Sequence, residues 1–173
     1  MAQTPSSALA TYSLHDGETL TVTRREPDLL EAAAEWAPKA VKPFVHSHPK
    51  QDERFEIHEG ELTVKLDGTE HVVRAGQTFD VPRGTVHAMW NSGDGPCRAT
   101  WQVRPALDTE GFWRAVHEAR QQPGTTGRHG ILTAAAAAPI LLAHRDEIRL
   151  PIPEPVQRVA LGAMAATRRL RRR

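Results

Sequence analysis

The chain has 173 residues, of which 39% are apolar, so it can bury one sizeable core without help from disulfides. Its 22 basic and 21 acidic residues nearly balance, which excludes the strongly basic surface of a general nucleic-acid binder. A single cysteine, Cys97, excludes an intramolecular disulfide and favours a reducing compartment. Residues 1–10 lack a secretion signal, and the longest apolar run, 134–143, is too short to span a bilayer. We therefore expect a cytoplasmic protein with no membrane partner.

Short strands separated by turns are predicted from about residue 12 to residue 103. Apolar and polar residues alternate over 62–66, and Asp67-Gly68 then predicts a tight hairpin whose second strand contains 71–73. Further strands are predicted at 78–81 and 99–103. This spacing favours an antiparallel sandwich or barrel, to which we assign residues 11–105.

Helical spacing begins after Pro105, where residues 106–173 form a predicted C-terminal helical extension. The first helix carries Phe112, Trp113 and Val116, and the second, about 132–144, should be interrupted or bent near Pro139. A third helix spans about 154–169. Its predicted apolar stripe consists of Val156, Val159, Ala160 and Met164. These helices are too small for an independent domain, so we expect them to pack on the barrel or on a partner subunit.

Four residues in two separate segments have the types and spacing of metal ligands. His46 and His48 are two apart, which places both imidazoles on one face of an extended chain. Glu53 follows a short turn and shares parity with apolar residues, and a buried carboxylate needs a compensating cation. His87 follows the turn Pro82-Arg83-Gly84, which can return the chain to the same place. One such histidine alone is usually a surface or hydrogen-bonded residue, but together the four supply an N3O set suited to Fe, Mn, Ni, Zn, Co or Cu.

Both segments also match longer patterns, and in these the sequence resembles the cupin superfamily. The first pattern contains the H-x-H pair, the glutamate and Gly60, while the second runs from Gly76 through Pro82, Gly84 and His87 to Asn91. Ala40 stands where the first pattern usually has glycine, which puts the turn there in doubt. The resemblance implies a mainly β fold, a jelly-roll barrel, with His46, His48, Glu53 and His87 binding one divalent transition metal.

The resemblance also decides an ambiguous segment and suggests roles for further residues. Residues 29–36 have good helix propensity, but the family pattern makes them a barrel strand. Gly60, Gly76, Pro82, Gly84 and Asn91 are expected to shape turns, Gly60 and Gly76 by adopting positive φ and Asn91 by hydrogen bonding to a loop backbone. Four residues are candidates for lining a pocket beside the metal: Phe44, Phe55, Met89 and Trp101.

Three functional hypotheses follow. The first is a metal-dependent enzyme acting on a small oxygen-rich organic substrate, of the dioxygenase (oxidoreductase), isomerase or cyclase type. The alternative is a small-molecule binding or sensing protein without turnover. A third, nucleic-acid binding through the arginines at 168–173, is disfavoured because a short basic tail is usually a solvated chain end. We further expect a homodimer that buries the apolar helix stripes.

Overall fold

The computed structural model describes residues 10–170 of the chain. The strands are β1 (Thr11–Tyr12), β2 (Glu18–Glu26), β3 (Leu29–Trp36), β4 (Asp52–Glu59), β5 (Glu61–Leu66), β6 (Thr69–Arg74), β7 (Thr78–Val81), β8 (His87–Trp90) and β9 (Cys97–Arg104). The α-helices are α1 (Thr109–Arg120), α2 (Ala134–Ala143) and α3 (Glu154–Leu170). A mainly β fold followed by a C-terminal helical extension is therefore confirmed. The arginine-rich tail, in contrast, falls at the edge of the described residues and beyond it.

The strands form two antiparallel sheets that face each other across the core. One sheet has six strands in the order β1-β2-β3-β9-β4-β7, and the other has three in the order β6-β5-β8. Neighbours such as β3 and β9 are distant in sequence, as in a jelly roll. A single β-bridge between His46 and His87 joins the segment before β4 to β8. The topology thus brings the two predicted ligand segments together.

Residues 29–36 form a strand, as predicted, and not the helix that their local propensity favours. β3 pairs with β2 on one side and with β9 on the other. Every second residue along it is buried, namely Leu30, Ala32, Ala34 and Trp36. Backbone pairing on both edges and burial of one full face outweigh the helix propensity of the alanines.

The predicted turn residues have the expected local structure. Asp67 and Gly68 both have positive φ between the paired residues Leu66 and Thr69, which makes the tight hairpin. Gly60 also has positive φ, and a Cβ there would lie 2.1 Å from a backbone carbonyl oxygen, so no other residue fits without rearrangement.

Asn91 makes three hydrogen bonds to backbone groups with its side chain. Its amide nitrogen donates to the carbonyl oxygens of Gly95 and Trp36 at 2.7 and 3.3 Å, and its amide oxygen accepts from the Gly93 N–H at 2.9 Å. The loop after β8 is therefore tied to the end of β3.

The helical extension packs on the barrel. α2 continues through Pro139, so the interruption that was one of the two expectations there does not occur. On α3, Val156 and Val159 of the predicted apolar stripe are 57% and 76% exposed, whereas Gln157 and Leu161 are buried. The side-chain oxygen of Gln157 accepts a hydrogen bond from the backbone N–H of Leu150, which explains why this face of α3 is turned toward the rest of the chain.

The extension also contacts the first ligand segment directly. The backbone N–H and C=O groups of Ser47 pair with those of Arg149 at 2.9 and 2.8 Å. No helix in the described part of the chain is long and apolar enough to cross a membrane. The barrel and the extension therefore meet between the predicted metal ligands His46 and His48.

Candidate metal centre

Backbone hydrogen bonds hold the two ligand segments beside each other. The N–H of His46 donates to the carbonyl of His87 at 3.0 Å, and the reverse bond is 2.8 Å long. The turn Pro82–Thr85 contributes as well, since the Gly84 N–H donates to the carbonyl of His48 at 2.8 Å. Gly84 has a positive φ, which lets its N–H point toward the first segment. Both motifs are thus parts of one rigid arrangement.

Three imidazoles converge at the point where these segments meet. One ring nitrogen from each of His46, His48 and His87 lies within 4.8 Å of the other two. The ring centroids are 4.4 to 5.1 Å apart. His48 and His87 are buried and His46 is partly buried. Among the described residues this cluster is the one whose histidine, cysteine and acidic side chains are close enough to share a metal ion.

The outward nitrogen of each imidazole faces a backbone carbonyl. The Nδ1 atoms of His46 and His87 lie 3.1 and 3.0 Å from the carbonyl oxygens of Phe44 and Thr85. The Nδ1 atom of His48 contacts the carbonyl oxygen of Glu147, in the helical extension. A carbonyl oxygen only accepts, so each Nδ1 must carry the hydrogen, and each Nε2 presents its lone pair to the interior of the cluster.

The carboxylate of Glu53 completes the cluster from β4. Its Oε1 and Oε2 atoms lie 3.3 and 3.1 Å from the Nε2 atoms of His48 and His87. Oε1 also accepts a hydrogen bond of 3.0 Å from the indole N–H of Trp101. Despite this closeness, His48 Nε2 and Glu53 Oε2 are buried without a hydrogen-bond partner in the described structure.

This donor set fits a divalent transition metal. Three neutral imidazole nitrogens and one carboxylate turn their lone pairs toward each other, and buried lone pairs without a donor are costly. A cation at their centre would satisfy all of them, and N3O coordination is typical of first-row metals. His46, His48, Glu53 and His87 are therefore the residues that would hold the ion, as the sequence predicts.

Charge interactions in the cluster shift the pKa values in opposite directions. Burial, together with the neighbouring imidazoles, lowers the pKa of His46 to about 3. Burial alone would raise the pKa of Glu53, but the His48 and His87 rings outweigh it and lower that pKa to about 2. Burial would lower the pKa of His87, but the adjacent Glu53 carboxylate raises it overall. Glu53 is consequently ionised at neutral pH and ready to bind a cation.

A cavity of about 410 Å³ opens beside the cluster, between the barrel and the helical extension. Of the predicted pocket residues, Phe44, Met89 and Trp101 line it. Phe55 does not; it is fully buried in the core, stacked against Trp101 and Phe79 with ring centroids 5.2 and 4.7 Å apart. The prediction for Phe55 followed from its parity with Glu53, but Trp101 separates its ring from the cavity.

The extension supplies much of the cavity wall, which the sequence did not predict. α1 contributes Phe112, Trp113 and Val116, and further apolar residues come from α2 and from the segment that follows it. His15, Glu18 and Gln51 also line the cavity, although no motif singles them out.

Gln51 connects the barrel to the start of α1. Its side-chain nitrogen donates to the carbonyl of Pro105 and to the hydroxyl of Thr109 at 2.8 and 2.7 Å. Its side-chain oxygen is buried without a partner in the described structure. Gln51 therefore leaves a hydrogen-bond acceptor two residues from Glu53.

The fold and the site together define a small jelly-roll barrel with a buried three-histidine cluster at the edge of a cavity. Residues 33–103, which make up most of the barrel, match the family model described as "Cupin domain", and this match supports the cupin superfamily for that part of the chain. This match spans both ligand segments and confirms the resemblance seen in the sequence.

Similar proteins cover only part of the chain. A germin-like protein, subfamily T member 2 of Arabidopsis thaliana, is 42% identical over 64 residues, which are 34% of this chain and 29% of that protein. The tetracenomycin polyketide synthase protein TcmJ of Streptomyces glaucescens is 33% identical over 60 residues, 35% of this chain and 40% of that protein. The chain thus matches well under half the length of these curated relatives. The structure of KdgF from Halomonas sp. has a TM-score of 0.53 and 18% identity, covering 58% of this chain and 92% of that one, which shows the shared fold.

Proposed function

We propose that this protein is a metal-dependent enzyme acting on a small organic molecule that has an apolar body and chelating oxygen atoms. One observation carries the proposal: three imidazole nitrogens and a carboxylate converge at the wall of a cavity of about 410 Å³, and two of these atoms, Nε2 of His48 and Oε2 of Glu53, are buried without a hydrogen-bond partner in the described structure. The metal would be one divalent ion of Fe, Mn, Ni, Zn, Co or Cu, held by His46, His48, Glu53 and His87. Such an ion supplies Lewis-acid chemistry or, if it is redox-active, activation of dioxygen.

The chemistry of the cavity wall supports an apolar substrate body. About two thirds of the lining side chains are aliphatic or aromatic, and in the described part of the chain none of the lining residues is Lys or Arg. A small polyanion would find no cationic side chain apart from histidine to compensate its charge on this wall. A molecule that is apolar except for the oxygen atoms directed at the metal centre suits it better.

The protein's own side chains would prepare the site for such a substrate. Trp101 donates to Glu53 and so holds the carboxylate toward the imidazoles. Phe112 and Trp113 cover the site from α1 and exclude water, which strengthens electrostatic interactions within it. Gln51 offers a buried acceptor for an enol or hydroxyl hydrogen of the substrate.

The similarity to a tetracenomycin polyketide synthase protein adds support from the sequence. A polyketide-like molecule would combine an extended apolar skeleton with ketone and enol oxygens, which matches the cavity and the donor set. Dioxygenase, isomerase and cyclase reactions all remain within this proposal.

The test separates an enzyme from a sensor. Protein loaded with Fe²⁺, Mn²⁺, Ni²⁺ or Zn²⁺ would be incubated with aromatic β-diketones, with and without oxygen, and the compounds followed by mass spectrometry. We expect metal-dependent binding and conversion of at least one compound. Binding without any conversion would favour the non-enzymatic binding or sensing protein, and binding that does not require metal would contradict the proposed site.

We also propose a cytoplasmic homodimer. The buried, unpaired Cys97 thiol suits a reducing compartment. Val156 and Val159 on α3 expose apolar surface that a second copy could cover. Light scattering should give twice the mass of one chain, and Val159→Glu should shift it toward the monomer. A wild-type monomer at all concentrations would contradict the dimer.

A further inference from the structure

A second pair of polar side chains lines the same cavity, away from the metal centre. The Nε2 atom of His15 lies 3.3 Å from Oε2 of Glu18, and the indole N–H of Trp36 donates to Oε1 of Glu18 at 3.0 Å. Both side chains of the pair are buried, at 5% and 7% exposure, and both belong to the cavity wall. The metal motifs do not include either residue.

Helix α1 shows how far this pair lies from the metal centre. The first residue of the helix, Thr109, accepts a hydrogen bond from Gln51, which is two residues before the ligand Glu53 in the chain. At its last residue, Arg120 contacts Asp16, which is next to His15 in the chain. Twelve helical residues rise about 16 Å. The two polar groups therefore lie near opposite ends of the wall that α1 covers.

The sheet register gives the same separation independently. Glu53 of β4 is paired with Val103 of β9, whereas Trp36, the partner of Glu18, is paired with Cys97. Six residues along a strand correspond to about 20 Å. The cavity is thus elongated and apolar along its length, with a polar group at each end.

The contacts of the pair leave the Glu18 carboxyl group with an acceptor that is available to a ligand. The Nδ1 atom of His15 lies 3.0 Å from the Asp16 carbonyl oxygen, so Nδ1 carries a hydrogen and Nε2 faces the carboxyl of Glu18. Burial raises the pKa of the Glu18 carboxyl group. Trp36 and His15 leave an oxygen lone pair of Glu18 unused. Buried polar pairs are costly compared with apolar packing, so their presence on a cavity wall indicates a partner of matching polarity.

We propose that the His15–Glu18 pair binds a hydroxyl group at the far end of an elongated ligand whose other end chelates at the metal centre. The inference rests on the proposed function and narrows its substrate class to apolar molecules with oxygen groups at both ends. Glu18 accepts the hydrogen bond, and the His15 and Trp36 side chains hold the carboxyl group in place by their contacts of 3.3 and 3.0 Å.

The experiment compares two synthetic probes with the full-length protein loaded with Zn²⁺, an ion without redox chemistry that would consume them. Each probe is a biphenyl with a methyl β-diketone at one para position; the other para position carries either a hydroxyl group or hydrogen. Trp101 and Trp113 line the cavity, so quenching of tryptophan fluorescence reports binding. We expect the hydroxylated probe to bind about tenfold more tightly.

Substitution should then assign this preference to Glu18. Glu18→Gln keeps the shape and the acceptor for Trp36 but turns an amide donor toward His15, so the preference for the hydroxylated probe should disappear while zinc affinity is retained. Glu26→Gln is the matched control, because Glu26 lies on the same strand but on the surface, and it should keep the full preference.

The outcomes separate this inference from the proposed function. Equal affinity of the wild-type protein for two probes that both require zinc overturns the role of His15–Glu18 and leaves the metal-dependent function intact. A preference that persists in Glu18→Gln also overturns it. Zinc-independent binding contradicts the proposed function, and failure of both probes to bind contradicts both proposals. The wild-type comparison needs no variant, so misfolding of Glu18→Gln would not prevent a decision.

Discussion

Replacing Trp101 by Phe should weaken metal binding without touching any predicted ligand. The Trp101 indole N–H donates a hydrogen bond of 3.0 Å to Oε1 of Glu53, which is 2% exposed, and a phenylalanine ring has no donor that could replace it. A hydrogen bond to a buried charged group contributes about 2 kcal/mol, and loss of a group that orients a metal ligand reduces metal affinity by about 10- to 100-fold. We expect a reduction in that range, measured by competition with a chromophoric chelator.

Trp113→Phe is the matched control for this experiment. Trp113 lines the same cavity and packs on Trp101 with ring centroids 5.1 Å apart, and it is also buried, at 1% exposure against 8% for Trp101. Both substitutions remove the same atoms from the core, so urea unfolding in the presence of chelator should show similar losses of stability. An equal effect of the two substitutions on metal affinity, or no effect of Trp101→Phe, would show that the hydrogen bond from Trp101 does not orient Glu53 for metal binding.

Three further predictions concern protonation and the barrel turns. As the pH is lowered, metal affinity should begin to fall while the pH is still above about 6.5, because Glu53 raises the pKa of His87 and a proton on that ring competes with the metal. Metal affinities measured by calorimetry that stay constant down to mildly acidic pH would argue against this. In the metal-free protein, the pKa of His46 is lowered to about 3, so below about pH 6.5 the unfolded chain binds a proton that the folded chain does not. The free energy of unfolding should therefore decrease on acidification, and this part of the slope should be absent in His46→Gln. Finally, Gly60→Ala should destabilise the protein by clearly more than Gly76→Ala in urea unfolding. Alanine at either position costs about 1–2 kcal/mol because of the positive φ, but only at Gly60 would the Cβ also clash with a carbonyl oxygen. Equal losses of stability would show that the clash is relieved.

Much of the barrel could be predicted from the sequence because its signals are local. Alternation over 62–66 and the Asp67-Gly68 turn specify a hairpin on their own. The strand at 29–36 was different, since its local propensity is helical and only the family pattern indicated pairing with β2 and β9. On α3, residue types alone gave no signal for the burial of Gln157, which depends on a backbone group seven residues away.

The candidate site also contains some residues that could be predicted from the sequence and others that could not. His46, His48, Glu53 and His87 stand at fixed spacings within two motifs, so they could be found without coordinates. His15 and Glu18, the partners of the second polar pair, reach the cavity only through the register of β2 and the placement of α1, which no spacing in the chain encodes. The same is true of the Glu147 carbonyl that orients His48 from the extension.

Elemental analysis of protein purified without chelators tests the central claim most directly. Wild-type protein should contain about one divalent transition-metal ion per chain, and Ala substitution of His46, His48 or His87 should remove most of it while circular dichroism shows an intact barrel. His58→Ala and His71→Ala are the controls, because both side chains are exposed and away from the cluster, and they should keep the wild-type metal content. Full metal content in all three cluster variants would contradict the account.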